Sequence, residues 1–352
     1  MVDWAAGSEW RAVQKLLIIR LSAMGDVVLT VPVVDSLARQ YRDLRITVLT
    51  KKSFADMFHW MPGNVEVMGV NLDNYKGVGG LERLCRQLRA KRFDAVADLH
   101  DVLRSKYLRM RLRMGGLRVA TIDKGRSEKK ALFGHGSDAK PLPHVTERYH
   151  QVFQQLGYDF EVDFQRLFLP QAEDFSRVHQ LVGRKSSGEH WVGIAPFAAH
   201  AGKVYPLSSM RRVAEMLAEQ GSRVFLFGAG EQEGSELAGW ESLSRHITSV
   251  CGRMGGLHNE LLLMSQLDSM VAMDSANMHL AALVGTRVVS IWGATHPKTG
   301  FQPWHQSPDD IVQMDDLSCR PCSIYGKKPC RWGDYRCLTK ITPQQIVEKI
   351  KH

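Results

Sequence analysis

The chain has 352 residues, 44% of them apolar and 24% charged, the make-up of a globular protein with room for two domains of ordinary size. No apolar run approaches the ~20 residues that span a bilayer, and the first dozen residues, MVDWAAGSEWRA, carry Asp3 and Glu9 with no apolar core. Neither a membrane helix nor a signal peptide is expected, and the expected location is cytoplasmic. The formal net charge of +9 favours anionic partners such as nucleic acid, nucleotide or an acidic membrane surface, unless it serves solubility alone.

Short apolar runs alternate with longer amphipathic ones. KLLIIRL reads as a strand, VPVVDSLARQY as a helix and RITVLT as a strand. Residues 79–91 predict a helix through Leu81, Leu84 and Leu88, and FDAVADL follows as a strand. A dense positive stretch comes next. Arg104, Lys106, Arg109, Arg111, Arg113, Arg118, Lys124, Arg126, Lys129 and Lys130 stand against only Asp123 and Glu128. Residues 123–147, polar, basic and rich in Gly and Pro, read as a mobile loop, and residues 148–158 as a helix. FQRLFLPQAEDF, with Pro170, reads as the linker between halves.

The alternation then restarts. HWVGIAPFA is a strand ending in a turn, SSMRRVAEMLAEQG a helix stopped by Gly221, and SRVFLFGAGEQE a strand running into a glycine turn. LLLMSQLDSMVAMDS gives a helix and a short strand, ANMHLAALVG a helix, and TRVVSIWG a strand. Two such βαβ series predict two parallel sheets with helices on both faces, in two nucleotide-fold domains facing a cleft. Neither a short-period repeat nor an RNA-binding or helix-turn-helix signature is present, so no nucleic-acid partner is expected.

Ligands of open α/β sheets gather beyond the carboxyl ends of the strands, and several polar groups fall there. In LIIRLSAMGDVV a lone carboxylate, Asp26, sits between apolar segments, either as a helix cap or as a base in the cleft. Gly25 allows the tight turn, and the absence of a GxGxxG argues against a simple dinucleotide fingerprint. In MDSANMHLAALVG, Asp274 or Ser275 caps a helix whose first N–H groups, at Ala276 and Asn277, can cradle an anion, with His279 one turn in. The plain alternative is a capped helix with a buried histidine. Glu231 and Glu233 follow the FGAGEQE turn, and a carboxylate there can hold ribose hydroxyls. Lys203, in AGKVYP, suits a phosphate or is merely solvated. DLHDVLRS places His100 and Arg104 at the mouth shared with Asp26.

Cys85 and Cys251 are isolated. Cys319, Cys322, Cys330 and Cys337 form C-x2-C-x7-C-x6-C, which suggests a structural zinc clip or unmetallated structural thiols, the x7 gap being smaller than in usual zinc ribbons.

LLIIRLSAMGDVVLTVPVV and DSANMHLAALVGTRVVSIWGATHP together resemble the ADP-heptose lipopolysaccharide heptosyltransferases of glycosyltransferase family 9. The likeness runs over roughly residues 16–350 and includes DLHDVLRS, the lysine loop, the FGAGEQE turn and CLTKITPQQIVEKI. It implies the GT-B architecture, with residues 1–168 as an acceptor-binding Rossmann-like domain and 169–335 as a nucleotide-sugar-binding one. Residues 336–352 would form a C-terminal helix packing back on the N-terminal domain. It implies inverting transfer of heptose from ADP-heptose to the lipopolysaccharide core with no metal needed for catalysis, in keeping with the absence of an Asp-x-Asp pair.

By the same resemblance Asp26 is the general base, Lys203 neutralises the leaving diphosphate and Asp274 binds donor sugar hydroxyls. Ser275, Ala276 and Asn277 give N–H groups to the phosphates with His279 in support, Ala276 standing where many relatives have Gly. Glu231 or Glu233, the latter favoured, holds the ribose, and His100, Arg104 and Lys106 with the basic loop meet an anionic acceptor. Contact with the inner membrane is implied to be peripheral. The alternatives are a related transferase with another nucleotide sugar or glycan acceptor, or a non-catalytic nucleotide-binding protein.

Overall fold

A computed structural model describes residues 15–133 and 140–351; the N-terminal dozen and part of the expected 123–147 loop lie outside them. The first half contains strands β1 (Lys15–Ile19), β2 (Arg45–Lys51), β3 (Val65–Val70), β4 (Ala95–Asp98) and β5 (Arg118–Thr121). Its helices are α1 (Met24–Val28), α2 (Val31–Gln40), α3 (Gly77–Ala90), α4 (Leu103–Arg113), α5 (Arg126–Ala131) and α6 (Val145–Gln155). The second half contains β6 (Trp191–Ala195), β7 (Arg223–Leu226), β8 (Ile247–Ser249), β9 (Ser269–Met273), β10 (Arg287–Trp292) and β11 (Ile311–Gln313). Its helices are α7 (Ser176–Val182), α8 (Leu207–Glu219), α9 (Gly230–Glu241), α10 (Leu257–Met264), α11 (Ala276–Leu283), α12 (Arg336–Thr339) and α13 (Pro343–Lys351).

Both sheets are parallel throughout, in the orders β3-β2-β1-β4-β5 and β11-β10-β9-β6-β7-β8. In β1, Leu16 and Ile18 face one helical layer, with Val34, Tyr149 and Phe153, while Leu17 and Ile19 face the other, with Leu84, Leu88 and Leu108. Burial on both faces is why these strands read as unbroken apolar runs. In each sheet the chain winds outward from its first strand and returns on the opposite side, so the order reverses between β1 and β4 and between β6 and β9. Those reversals open crevices at the strands' carboxyl ends. The GT-B expectation of two Rossmann-like halves is met.

The halves are joined through one apolar cluster that includes Val27, Met254, Leu261, Met278 and the linker residues Phe164, Leu167 and Phe168. Backbone bonds tie them as well: Leu142 N–H donates to Lys298 O at 2.9 Å and Val145 N–H to Gly300 O at 2.9 Å.

Three expectations are corrected. The segment expected as a mobile loop contains α5, and α6 begins at Val145, because His144 caps it while Glu147 Oε1 accepts from His144 N–H at 3.1 Å. Short strands β3, β5, β8 and β11 and helix α4 were not foreseen. The C-terminal helix packs on α8 and β10 of the second half, not on the first. Its apolar stripe, Ile346, Val347 and Ile350, joins Val213, Leu217, Val289 and Ile291, and Arg287 donates to Lys349 O at 2.7 Å.

Candidate functional site

The first crevice is built on a charge pair. Arg20 follows β1 directly and is nearly buried, and its guanidinium meets Asp26 Oδ2 at 2.6 Å and donates to Leu99 O. The Asp26 carboxylate makes no hydrogen bond to the helix start, so it is not the cap of α1. Among the described residues its Oδ1 has no partner, while the buried Tyr149 hydroxyl donates to the Asp26 backbone carbonyl at 3.2 Å. Helix α1 lies against α11 of the second half. A Cβ at Gly25 would stand 3.2 Å from His279 Cδ2 and 3.7 Å from Ala276 Cα, so a side chain there would press on the His279 ring at the start of α11.

Across the cleft Lys203 Nζ meets Asp274 Oδ2 at 2.8 Å, with side chains 17% and 7% exposed. Lys203 ends a short turn after β6, and Asp274 directly follows β9, the neighbour of β6. The cysteine-rich tail crosses here. Gly326 adopts φ +75°, and a Cβ on it would lie 2.7 Å from Lys203 Cγ, so the tail's backbone seats the lysine stem. Ser275 is the extended N-cap of α11, with Ala276 and Asn277 in the first turn.

Of the eleven buried polar side-chain atoms without a partner among the described residues, four are Arg20 Nε, His100 Nδ1, Ser275 Oγ and His279 Nδ1. Such atoms are rare in native proteins and call for an explanation; their clustering along one cleft marks a place built for a polar ligand. Burial, then the charges of His144 and Lys203, pushes His279 down to about 3. Burial, then Arg20, pushes His100 down to about 4, and burial, then Arg320, takes His296 to about 4. All three rings are neutral near pH 7. Unfolded, each would bind a proton near its ordinary value of 6.5, so the unfolded state holds more protons between the two values. Their contribution to stability is present above about pH 6.5 and is lost as pH falls towards 4. We expect Tm to drop steadily across that window in a thermal-shift series. A flat Tm would mean that the rings are accessible to protons in the fold.

His100 is nearly buried at this crevice, with Nε2 3.4 Å from Ser22 Oγ, while Arg104 lines a separate hollow with Tyr75, Leu81 and Tyr107, and Lys106 turns to Asp101. Asp101 organises the cations there: Arg109 at 2.9 Å, Lys106 at 3.6 Å and Arg126 at 3.5 Å reach its carboxylate, and Lys124 donates to its carbonyl. Lys129 of the basic stretch is placed here, and Tyr325, which the sequence reading does not single out, joins it. Lys129 is only 7% exposed, its ammonium 4.5 Å from the Phe301 ring, and burial, then Arg148, lowers it to about 8. Tyr325, in the tail, is raised by burial and then by the Asp26 charge. No local pattern marks Tyr325, since the charges around it, Asp26, Arg20 and Arg126, come from the other half of the chain.

Glu231 and Glu233 lie after β7, one strand from β6. Glu233 Oε2 accepts from Ala229 N–H at 2.8 Å and so ties the start of α9, while Glu231 is exposed. Neither is in contact with the Lys203–Asp274 pair.

The four tail cysteines line one cavity of about 20 Å³ with Trp332, Tyr335 and Arg336. All are free thiols, and burial holds Cys322 above its ordinary value and Cys337 at about 11. Among the described residues no three His, Cys, Asp or Glu side chains are arranged to hold a metal ion.

Comparison with known proteins identifies the family. The family model for glycosyltransferase family 9 (heptosyltransferase) matches residues 81–332. The chain is 23% identical to lipopolysaccharide heptosyltransferase 1 of Pseudomonas aeruginosa, covering 96% of this chain and 97% of the relative. Among solved structures it is similar to a family 9 glycosyl transferase from Veillonella parvula, with TM-score 0.75, 18% identity and 96% of each chain covered. It is also similar to E. coli heptosyltransferase WaaC with ADP-2-deoxy-2-fluoro heptose, with TM-score 0.67, 17% identity, and 95% of this chain and 99% of that one covered.

Proposed function

The chain belongs to glycosyltransferase family 9, and from that premise we propose that its cleft transfers a heptose from ADP-heptose to the lipopolysaccharide inner core with inversion at the anomeric carbon. The observation that supports this reading is the opposition, across a gap closed down to a glycine, of the Arg20–Asp26 pair and the Lys203–Asp274 pair at the start of α11. Asp26 Oδ1 takes the proton from the acceptor hydroxyl while Arg20 holds Oδ2 and keeps the carboxylate oriented. The acceptor oxygen attacks the anomeric carbon, the bond to the diphosphate breaks, and ADP leaves with the electron pair. A single displacement of this kind inverts the centre.

Lys203 and the free N–H groups of Ser275, Ala276 and Asn277 face the charge that gathers on the diphosphate. Asp274 holds Lys203 and donor sugar hydroxyls, and His279, kept neutral, lines the floor. Glu233 uses Oε2 on its own helix, leaving Oε1 for the ribose; Glu231 is the exposed alternative. On this reading residues 1–168 serve the acceptor and 169–335 the donor, and Lys124 and Lys129 join His100, Arg104 and Lys106 around acidic groups of the acceptor. No metal takes part. No helix among the described residues is long and apolar enough to cross a membrane, and we place the protein at the cytoplasmic face where the acceptor is assembled.

The test is release of ADP from ADP-heptose with and without a heptose-deficient lipopolysaccharide core. Acceptor-dependent release is expected. Binding of ADP without release would assign another sugar or acceptor, and no ADP binding at all would overturn the donor.

A further inference from the structure

Helix α4 presents an outer face that a solvated helix would not. Its inner stripe, Ser105, Leu108 and Leu112, is buried, the two leucines against Leu84 and Leu88 of α3. Its outer positions fall three and four residues apart: Leu103, Lys106, Met110, Arg113, and then Met114. Leu103 is 88% exposed, Met110 50% and Met114 72%. Apolar and cationic side chains thus alternate along one stripe. The helix carries five cations and no acid. Arg109 and Arg111 are engaged inward by Asp98, Asp101 and Glu82, and the half-exposed Lys106 reaches Asp101 at 3.6 Å, which leaves Arg104 and Arg113 with no ion pair among the described residues.

The start of α3 extends the surface. Val78 is 69% exposed, and a hollow of about 570 Å³ opens between Tyr75, Leu81, Leu103, Arg104 and Tyr107. The helix hangs from the carboxyl end of β4, so its first turn borders His100 and Asp101 at the cleft mouth.

We propose that this face, the outer stripe of α4 with Val78 at the start of α3, docks on an anionic lipid surface. The charge decides the occupant. Exposed methionines and a leucine between Arg104, Arg113 and the half-exposed Lys106 match acyl chains beneath acidic headgroups. A second copy of this chain would bring the same cations together. Docked this way, the cleft mouth lies at the lipid surface, where a lipid-anchored acceptor presents its sugar to Asp26. The proposal rests on the reading of the acceptor as lipid-linked.

The test is co-sedimentation with vesicles of phosphatidylcholine, with and without phosphatidylglycerol, at low and high salt. The wild type is expected to bind the phosphatidylglycerol vesicles at low salt and to release at high salt. Met110→Asp/Met114→Asp is expected to lose binding by at least about tenfold, with unchanged turnover on a water-soluble, delipidated acceptor fragment. Met110→Leu/Met114→Leu is expected to bind as the wild type does, which separates surface chemistry from fold damage. Equal vesicle binding by the aspartate variant, or none by the wild type at low salt, overturns the proposal. So does a wild-type dimer in sedimentation velocity that the aspartate variant abolishes, since the face would then be a self-interface. Absence of ADP release on the soluble acceptor, with vesicle binding intact, would instead count against the transferase reading.

Discussion

Asp26→Asn is expected to lower kcat by about 10²- to 10⁴-fold, the range that a positioned general base supplies. Asparagine keeps the shape and an acceptor oxygen for Arg20, but it cannot take the proton from the attacking hydroxyl. Donor binding lies on the opposite wall, so ADP affinity measured by calorimetry should be retained. The substitution also leaves the Arg20 guanidinium, 6% exposed, without its counter-charge. Removing one partner of a buried pair costs about 3–5 kcal/mol, an upper bound here because Asp26 is part-exposed, the amide oxygen persists and Leu99 O still accepts from Arg20. Tm and turnover must therefore be read together. A folded variant with lost turnover and intact ADP binding supports the base. Near-normal turnover removes Asp26 from that role, and the remaining groups of the first crevice would have to supply it.

Lys203→Ala is expected to lower kcat/KM for the donor by about 10²- to 10³-fold, comparable to removing one donor to a developing oxyanion. It also leaves Asp274, 7% exposed, as an uncompensated carboxylate, so stability should fall too. The double variant Lys203→Met/Asp274→Asn separates the two effects. With both charges gone, most of the lost stability should return, since contacting residues couple strongly. Activity should not return, because nothing then faces the diphosphate. Recovery of activity alongside stability would show that the pair serves structure alone. Lys203→Arg is not a conservative rescue, because a planar guanidinium fork replaces a compact ammonium that sits 2.8 Å from Asp274.

Much of this protein could be read from its sequence because the relevant signals are local. Central strands of a parallel sheet are buried on both faces, so KLLII, WVGIA and SMVAM announce themselves as apolar runs. Turns at their carboxyl ends carry polar groups, so Asp26, Lys203, Asp274 and His279 can be read from the sequence as candidates for the cleft. The edge strands were missed for the converse reason. VEVMGV, RVAT and IVQ are half-exposed or only three or four residues long, and such segments carry no clear period.

The sequence by itself determined two parallel α/β halves and the set of polar groups at their strand ends. Only the tertiary structure decided which of those groups are paired. Asp26 is held by Arg20 rather than capping its helix, Lys203 and Asp274 meet from different crossovers, and Glu233 is turned back on its own turn. It also decided that a buried lysine and a tail tyrosine join the site, and that the last helix covers the second sheet. Each of these depends on contacts between segments far apart in the chain, and hydrophobic periodicity says which face of an element is buried but not which partner buries it.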